Sequence, residues 1–544
     1  MKQKLLFLGL GFVLSLPMAN IAQNRYHDAI FTRAQITVTP DVIYGTNQAI
    51  SLTGGAPFAQ PLRMDVYQPD QSVDTEQNRP LILVLHSGNF LPPVINGSPI
   101  GTRKDSSVVY ACMEFARRGY VAAAVTYRLG WNPASTDEEV RRGTLLQAVY
   151  RAILDTKTAT RFMRKEKATN NNPYKIDDTK IAIYGQSTGG YIALANGFLN
   201  LQTEIELPKF LSGIDATPLF VQGQSYIIPS LLGNFDGTGG IATFNNYEHS
   251  GYSNAVNMVM NVGGALADTS WINANEPAVA SVHCIRDPFA PFNSGVVVVP
   301  TTQGDVVDVQ GANVFIENAN SKGVNNSFRD VSFFGDNFTA RARSLYSATY
   351  NYDLLNTGGT VSINNPDGLF PINLPSRTSI NRFANEGAPW DWWDLNVLTA
   401  VVAATNTATG GSYDANVIHQ GNILSNPGMS ATKGKAYIDT AVGYFCPRIM
   451  RELQIGNWEA LNIKNTDAQN NLSVYPNPSN GYVTISANSL INRVEIFDVS
   501  GKLVHTSSIN SIQTTINTHS FEKGMYILKA QNKNNINTTK LFIK

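Results

Sequence analysis

Residues 181–190 of this chain have the sequence IAIYGQSTGG, an apolar run followed by the motif G-x-S-x-G at Gly185, Ser187 and Gly189. A helix pattern follows directly, so the segment predicts a buried strand, a sharp turn and a helix, with the serine hydroxyl pushed out of the backbone at the turn. Glycine is needed on both sides because larger side chains would collide there. We therefore predict that Ser187 is a nucleophile and that the Thr188 amide, at the helix N-terminus, donates to a developing oxyanion. A plain glycine-rich turn is the alternative.

The sequence around this motif alternates between strand and helix patterns. Residues 80–88 and 120–128 contain continuous apolar runs, as strands covered on both faces should. Residues 143–167 have helical periodicity, and residues 430–454 have the pattern of a closing amphipathic helix. This alternation predicts an α/β protein with a mostly parallel sheet and helices on both faces. Together with the serine motif, it favours the α/β-hydrolase fold.

Two long segments interrupt the alternation. Residues 200–253 and 335–425 are rich in Gly, Asn and aromatic residues. Structureless loops of this length are rare inside a compact domain, so we expect both segments to form caps over a site. The predicted catalytic domain is therefore 23–460, with insertions at 200–253 and 335–425.

The N-terminus has the pattern of a targeting signal. Lys2 and Lys4 precede the apolar run 5–16, and small residues then offer a cleavage site near Ala22. Because this run is short for a membrane span, we predict a signal peptide over 1–22 and an exported protein without a transmembrane segment.

Composition excludes some partners and leaves others open. The 544 residues carry 41 basic and 41 acidic side chains, a balance that does not favour nucleic acid or an anionic membrane surface. The three cysteines, Cys112, Cys284 and Cys446, are too few for a disulfide framework and lack metal spacing. We expect all three to be buried, with one disulfide and one free thiol as the alternative.

The last part of the chain, 470–544, differs from the rest. Short alternating strands separated by Asn, Ser and Gly turns predict a small all-β sandwich, and the polar stretch 465–471 is the expected linker. The segments VYPNPSNGYVTI, VEIFDVSGKLV, GMYILKA and KLFIK resemble the type A C-terminal sorting domain of the type IX secretion system in Bacteroidetes. The resemblance implies an export address read by the secretion machinery at the outer membrane, a secreted or cell-surface location, and no chemistry within this domain.

A second resemblance lies just after the apolar run 80–85. Residues 86–90, HSGNF, resemble the HGGG motif of carboxylesterases and of feruloyl or acetylxylan esterases. The resemblance implies that the amides of Gly88 and Asn89 complete the oxyanion hole. Ser87 and Asn89 stand where that pattern has glycine, so the loop is expected to have its own shape. His86 precedes the nucleophile in the chain and is therefore expected to be structural.

The acid of a catalytic triad is expected after a late core strand. Residues 282–291, VHCIRDPFAP, resemble the esterase stretch that carries this acid, which implies Asp287, with His283 structural. A turn aspartate before proline is the alternative.

The base of the triad follows from chain order, because the fold uses serine, then acid, then histidine. His419, shortly before the closing helix, is the histidine between Asp287 and the sorting domain. The others lie before the acid, in its strand or in the sorting domain: His27, His86, His249, His283, His505 and His519. We predict His419 as the base, with a surface-loop histidine as the alternative.

The densest aromatic cluster of the chain lies in the second expected cap. Trp390, Trp392 and Trp393 are either a stacking wall for an acyl group or the core of the cap. Residues 236–240, DGTGG, lack the spaced oxygen ligands that calcium requires. We expect no metal ion and no cofactor.

These patterns together favour a secreted serine carboxylic ester hydrolase that acts through an acyl-enzyme on Ser187. The substrate would be a small or polymer-linked ester. Two alternatives stay open: a secreted serine peptidase of the prolyl-oligopeptidase type, and a non-enzymatic surface binding protein on a hydrolase scaffold.

Overall fold

The structure of the protein is a computed structural model. It describes residues 24–52, 56–216, 220–299, 304–333, 336–352, 359–364, 367–377, 379–458, 472–499, 501–531 and 536–544. The predicted signal peptide and the predicted linker at 465–471 lie outside the described residues. The chain divides into two compact units, Met1–Leu461 and Asn462–Lys544, and each is described by itself.

A central sheet of eight strands organises the first unit. The strands of this unit, in chain order, are β1 (Ile36–Ala49), β2 (Phe58–Pro69), β3 (Arg79–Leu85), β4 (Val121–Val125), β5 (Ile176–Gln186), β6 (Met258–Val262), β7 (Ala278–Cys284), β8 (Ser294–Val298), β9 (Asp305–Gln310), β10 (Thr349–Asn351), β11 (Thr360–Ser362) and β12 (Leu369–Ile372). The sheet order is β1-β2-β4-β3-β5-β6-β7-β12. Within this sheet, β4, β3, β5, β6, β7 and β12 are parallel to one another. Strand β2 pairs antiparallel with both of its neighbours, β1 and β4. The predicted mostly parallel sheet is confirmed.

Helices cover both faces of this sheet. The helices of this unit, in chain order, are α1 (Ser106–Arg117), α2 (Glu138–Thr169), α3 (Thr188–Phe198), α4 (Pro229–Leu232), α5 (Ala312–Ser321), α6 (Asn337–Arg343), α7 (Leu395–Thr409), α8 (Ala415–Leu424) and α9 (Ala431–Leu453). Leu83 of β3 joins the hydrophobic core that contains α2 and α3, whereas Ile82 and Val84 join the core with α1 and α9. Both faces of β3 are therefore buried, which is why its sequence is continuously apolar.

The two segments expected as caps differ in what they do. In residues 200–253, Ile205, Phe210 and Ile227 are part of the core that contains α2. Part of 335–425 belongs to the central sheet, because β12 pairs in parallel with β7. This second segment is therefore not a cap throughout.

The helical hairpin α7–α8 packs on the loop after β3. Its contact with the body includes a small apolar cluster of Val94, Leu398, Val402, Ala415 and Ile418. His419 consequently lies on helix α8, whereas the sequence placed it in a loop before the closing helix, here α9.

The three cysteines are buried and none is in a disulfide. Burial raises the pKa of the Cys446 thiol to about 11, and it raises the pKa values of the Cys112 and Cys284 thiols well above the usual value. The expectation that they act as small buried residues is met.

The C-terminal unit is all-β, as predicted. Its strands are β13 (Ser473–Tyr475), β14 (Tyr482–Phe497), β15 (Leu503–Asn517), β16 (Gly524–Gln531) and β17 (Ile536–Ile543). They are joined in one antiparallel sheet in which the long strand β14 pairs with β13, β15 and β16. Val483, Val494, Leu528 and Leu541 are part of its own hydrophobic core. Across the described ranges, no helix is long and apolar enough to cross a membrane.

We predict that a chain ending at Asn465 keeps the fold of the first unit. The reason is that each unit has its own core, so removing the C-terminal sheet takes no apolar side chain out of the first unit's cores. Thermal unfolding of the shortened chain should give the same Tm as the corresponding transition of the full chain, within about 2 °C. A loss of cooperative unfolding on truncation would contradict this independence.

Candidate active site

Ser187 occupies the turn between β5 and α3. Its backbone has φ 50° and ψ −113°, a conformation that costs a non-glycine residue about 1–3 kcal/mol. The turn is held against the neighbouring strand β6, because the Ser187 amide donates to the carbonyl of Val262 at 2.7 Å. The strand, turn and helix predicted around the motif are all present, and the strain is concentrated on the serine.

Close backbone contacts explain the two glycines of the motif. A Cβ atom on Gly185 would lie 2.0 Å from the carbonyl oxygen of Gly189, and one on Gly189 would lie 2.4 Å from the carbonyl oxygen of Leu85. Both clashes are with backbone atoms, which cannot turn away as a side chain could. The turn therefore admits only glycine at these positions.

Three backbone amides at the site donate no hydrogen bond within the described part of the chain: those of Gly88, Asn89 and Thr188. Gly88 and Asn89 have positive φ angles of 121° and 53°. These are the amides that the sequence assigned to the oxyanion hole. Unpaired amides at such a turn are suited to binding a negative oxygen.

Two residues that the sequence reading missed hold the loop of Gly88 and Asn89 in place. The buried Asn96 side chain donates to the carbonyls of Gly88, at 3.1 Å, and Ile100, at 2.8 Å. The Trp131 indole donates to the carbonyl of Asn89 at 2.7 Å. Nothing in their local sequence marks these roles, because each partner is a backbone carbonyl several residues or more away.

His86, directly before this loop, has a structural position. Its ring is buried, stacks on Tyr127 with ring centroids 4.2 Å apart, and uses Nδ1 to donate to the carbonyl of Ser87 at 2.6 Å. Burial lowers the pKa of His86 to about 4, so the ring is neutral at physiological pH.

Asp287 follows β7, and β6 lies between β7 and the strand that carries the serine turn, β5. Its Oδ1 accepts from the amides of Phe289, at 2.8 Å, and Ala290, at 3.1 Å, and its Oδ2 lies 3.5 Å from Nε2 of the buried His283. A Cβ atom on Gly387 would lie 2.5 Å from Oδ1, so backbone of the segment after α6 and β12 faces the carboxylate directly. A Cβ atom on Gly263, next to Val262, would lie 3.6 Å from Oδ2.

His419 has a different neighbour. The indole Nε1 of Trp393 donates to His419 Nδ1 at 3.1 Å. Within the described ranges, no hydrogen bond or ion pair joins His419 to Ser187 or Asp287. Helix α8 does lie against the loop beyond Asn89, because Asn422 donates to the carbonyl of Gly97 at 2.9 Å.

The three tryptophans of the aromatic cluster pack in apolar clusters. Trp390 is 1% exposed and lies over Gly263. Trp392 packs edge-on to Tyr110, and Trp393 joins the cluster under the α7–α8 hairpin. That these tryptophans form a wall of the substrate site stays a prediction. The contacts that they make in the structure are packing contacts.

A cavity of about 90 Å³ opens beside Ser187. Asn89 and Thr188 line it, together with apolar side chains from α2 and from the hairpin β8–β9, among them Val149, Val297 and Val307. The serine therefore faces an apolar space with unpaired amides at its edge. This arrangement can bind a carbonyl group and stabilise negative charge on its oxygen.

Buried polar side chains form a chain beneath the turn. The Ser107 hydroxyl lies 3.0 Å from Gln186 Oε1 and 2.9 Å from Asp391 Oδ1, and Gln186 Nε2 donates to the Tyr184 hydroxyl. A hydroxyl has one proton, so it can donate to only one of these two oxygens. A protonated Asp391 that donates to Ser107 satisfies both contacts. Burial, assisted by the nearby Asp105 carboxylate, raises the pKa of Asp391 to about 7, in agreement with this assignment.

The sheet and the strained serine turn define an α/β-hydrolase. Residues 64–217 match the BD-FAE family model, and residues 473–544 match the model of the secretion system C-terminal sorting domain. Residues 64–217 thus belong to an esterase-like domain, and residues 473–544 form a type IX sorting domain, which indicates export to the cell surface or beyond. Both predicted resemblances are confirmed.

Solved structures that are similar to this chain include those of an esterase. Esterase 2 of Thermogutta terrifontis phosphorylated by paraoxon is 16% identical, with a TM-score of 0.29, covering 48% of this chain and 75% of that chain. The propionate-bound form of the same enzyme is 16% identical, with a TM-score of 0.27, covering 48% and 76%. No curated protein matches this chain.

We predict that Gly189→Ala destabilises the protein by at least about 3 kcal/mol, because the new methyl group would meet the Leu85 carbonyl. Gly421→Ala is the matched control: Gly421 lies in α8 with open space around it, and alanine should stabilise its helix by up to about 1 kcal/mol. Urea unfolding of both variants measures the difference. Equal stabilities would show that the turn can relax.

We also predict that Asp391 makes folding less favourable as pH rises. Its folded pKa of about 7 lies above the usual value of 3.8, so its contribution to stability is complete below pH 3.8 and is lost as pH rises through about 7. Asp391→Asn keeps the neutral amide at every pH and should make this dependence shallower, leaving the part that comes from Asp105, whose pKa burial also raises to about 7. Urea unfolding at pH 5 and pH 8.5 tests it, with the exposed Asp308→Asn as control. A variant with the wild-type pH dependence would refute the protonated assignment.

Proposed function

We propose that the protein is a secreted serine carboxylic ester hydrolase that works through an acyl-enzyme on Ser187. The observation that carries the proposal is the strained Ser187 beside an apolar cavity, with unpaired amides at its edge. The match of residues 64–217 to an esterase-like family supports the same chemistry.

The proposed reaction has two halves. The Ser187 oxygen attacks the ester carbonyl carbon, and the amides of Gly88, Asn89 and Thr188 donate to the oxyanion of the tetrahedral intermediate. The C–O bond to the alcohol then breaks, the alcohol leaves with a proton, and the acyl group stays on the serine. Water attacks this acyl-enzyme, and the carboxylic acid is released.

We propose His419 as the base and Asp287 as its orienting partner. Support comes from the contacts of the other histidines of the first unit, each of which already has a partner at one ring nitrogen. His27 Nδ1 lies 2.7 Å from Asp28 Oδ1, His86 and His283 are buried with backbone partners, and His249 Nε2 contacts the carbonyl of Tyr44 at 2.7 Å. His419 is on a helix that touches the loop of the proposed oxyanion hole.

The contact with Trp393 sets a condition on this role. Because His419 Nδ1 accepts a hydrogen bond from the indole N–H of Trp393, the neutral ring carries its own proton on Nε2. A base that is oriented by Asp287 needs the other tautomer, with the proton on Nδ1 and a free Nε2. The ring must therefore leave Trp393 before it can accept the Ser187 proton. The proposal accordingly includes a shift of the His419 ring or of the α7–α8 hairpin when substrate binds.

Replacing Ser187 is the first test. We expect Ser187→Ala to remove hydrolysis of p-nitrophenyl butyrate, with a loss in kcat on the order of 10⁶, while the protein stays folded. The exposed Ser344→Ala, which does not line the cavity, should keep full activity. Labelling of Ser187 by a serine-directed phosphonate gives a second readout. Retained hydrolysis in Ser187→Ala would refute the nucleophile, and cleavage of prolyl peptides in place of esters would identify a peptidase. A folded wild-type protein that neither hydrolyses esters nor reacts with the phosphonate would be a binding protein.

Replacing His419 and Trp393 tests the base. We expect His419→Gln to lower kcat by at least about 10³ and to abolish the acid limb of the pH–rate profile. Trp393→Phe removes the indole donor but keeps the ring, so it should leave kcat equal or higher. An unchanged profile in His419→Gln would overturn the assignment of the base without affecting Ser187.

A further inference from the structure

We propose that the cavity at Ser187 binds an unbranched hydrocarbon acyl chain, so that the preferred substrates are esters of hexanoic or longer fatty acids. This inference rests on the proposed hydrolysis at Ser187. It states which acyl group the site prefers: a long hydrocarbon chain, and not an acetyl or a phenolic acyl group.

The polar and apolar parts of the cavity wall are segregated. The polar wall residues are Asn89, Ser187 and Thr188, at the catalytic end, and the remaining polar side-chain groups are the Tyr191 hydroxyl and the Trp131 indole N–H. The rest of the wall is apolar: Phe90, Trp131, Leu145, Leu146, Val149, Ala267, Phe289, Ala290, Val297, Val298, Val299, Val306, Val307 and Val309. No charged side chain is among these lining residues of the described chain.

This segregation selects the acyl group. A phenol or sugar hydroxyl placed among the valines, away from the Tyr191 hydroxyl, would lose its hydrogen bonds to water and gain none, at a cost of about 1–3 kcal/mol for each group. A hydrocarbon chain instead gains about 0.8 kcal/mol for each buried methylene. The Trp131 indole offers no alternative partner, because it already donates to the Asn89 carbonyl.

A second apolar cavity continues beyond the first. It has a volume of about 50 Å³, and its walls include Ile153, Leu199, Phe210 and Trp271. The two cavities share four wall residues: Leu146, Val149, Tyr191 and Ala267. These side chains form a thin partition, so movement or truncation of one of them would extend the acyl site inward.

The test is the ratio of kcat/KM for p-nitrophenyl octanoate to that for p-nitrophenyl acetate. In the wild type, kcat/KM should rise about fourfold for each methylene until the cavity is filled. Leu146→Ala should open the partition and move the preferred acyl length to longer chains. Ala267→Leu should narrow the acyl cavity and lower the octanoate-to-acetate ratio of kcat/KM at least tenfold. Leu154→Ala, on the same helix but lining neither cavity, is the control that should leave the ratio unchanged.

Binding of octanoate separates the two proposals. Calorimetry with Ser187→Ala, which cannot hydrolyse an ester, should detect binding of octanoate but not of acetate. Adding Ala267→Leu to this variant should weaken the binding of octanoate. If no ester is hydrolysed but octanoate binds in this way, the proposed function fails and the acyl site stands. If acetate esters are the best substrates, the partition variants do not move the ratio, and octanoate does not bind, the acyl site is overturned and the proposed function stands.

Discussion

The contact between the serine turn and the end of β3 is the constraint on which the rest of the site depends. Gly189 lies so close to the Leu85 carbonyl that no side chain fits between them. This approach places the first turn of α3 beside the loop that begins at His86. The amides that we propose for the oxyanion hole, among them those of Thr188 and Asn89, come from separate parts of the chain, and this contact brings the two backbones together. The strain on Ser187 is compensated by the packing that this contact allows.

The parts of the fold that sequence could predict are those with a local signature. The serine turn is one, since its glycines, strand and helix are contiguous in 181–198. The doubly buried strands are another, because burial on two faces requires an uninterrupted apolar run such as that of β3. The C-terminal sheet was also evident, because its alternating strands and turns are short and regular.

The remaining features depend on contacts between distant residues. Nothing in the valines of β8 and β9 indicates that they face Ser187. β12 is only four residues long, too short to signal that it pairs with β7 inside a segment expected to be a cap. The predicted base illustrates the limit most clearly: chain order singled out His419, but its partner Trp393 depends on how a helical hairpin folds back over the loop at Val94.

The buried thiols have a consequence for export. Cys112, Cys284 and Cys446 lie in the folded interior with raised pKa values, so the native protein presents almost no thiolate to an oxidant. Before folding, the same three thiols are accessible, and their odd number means that any disulfide formed leaves one unpaired. Folding must therefore outpace oxidation on the way out of the cell. For this chain, the order of those two events decides whether an exported molecule reaches its native state.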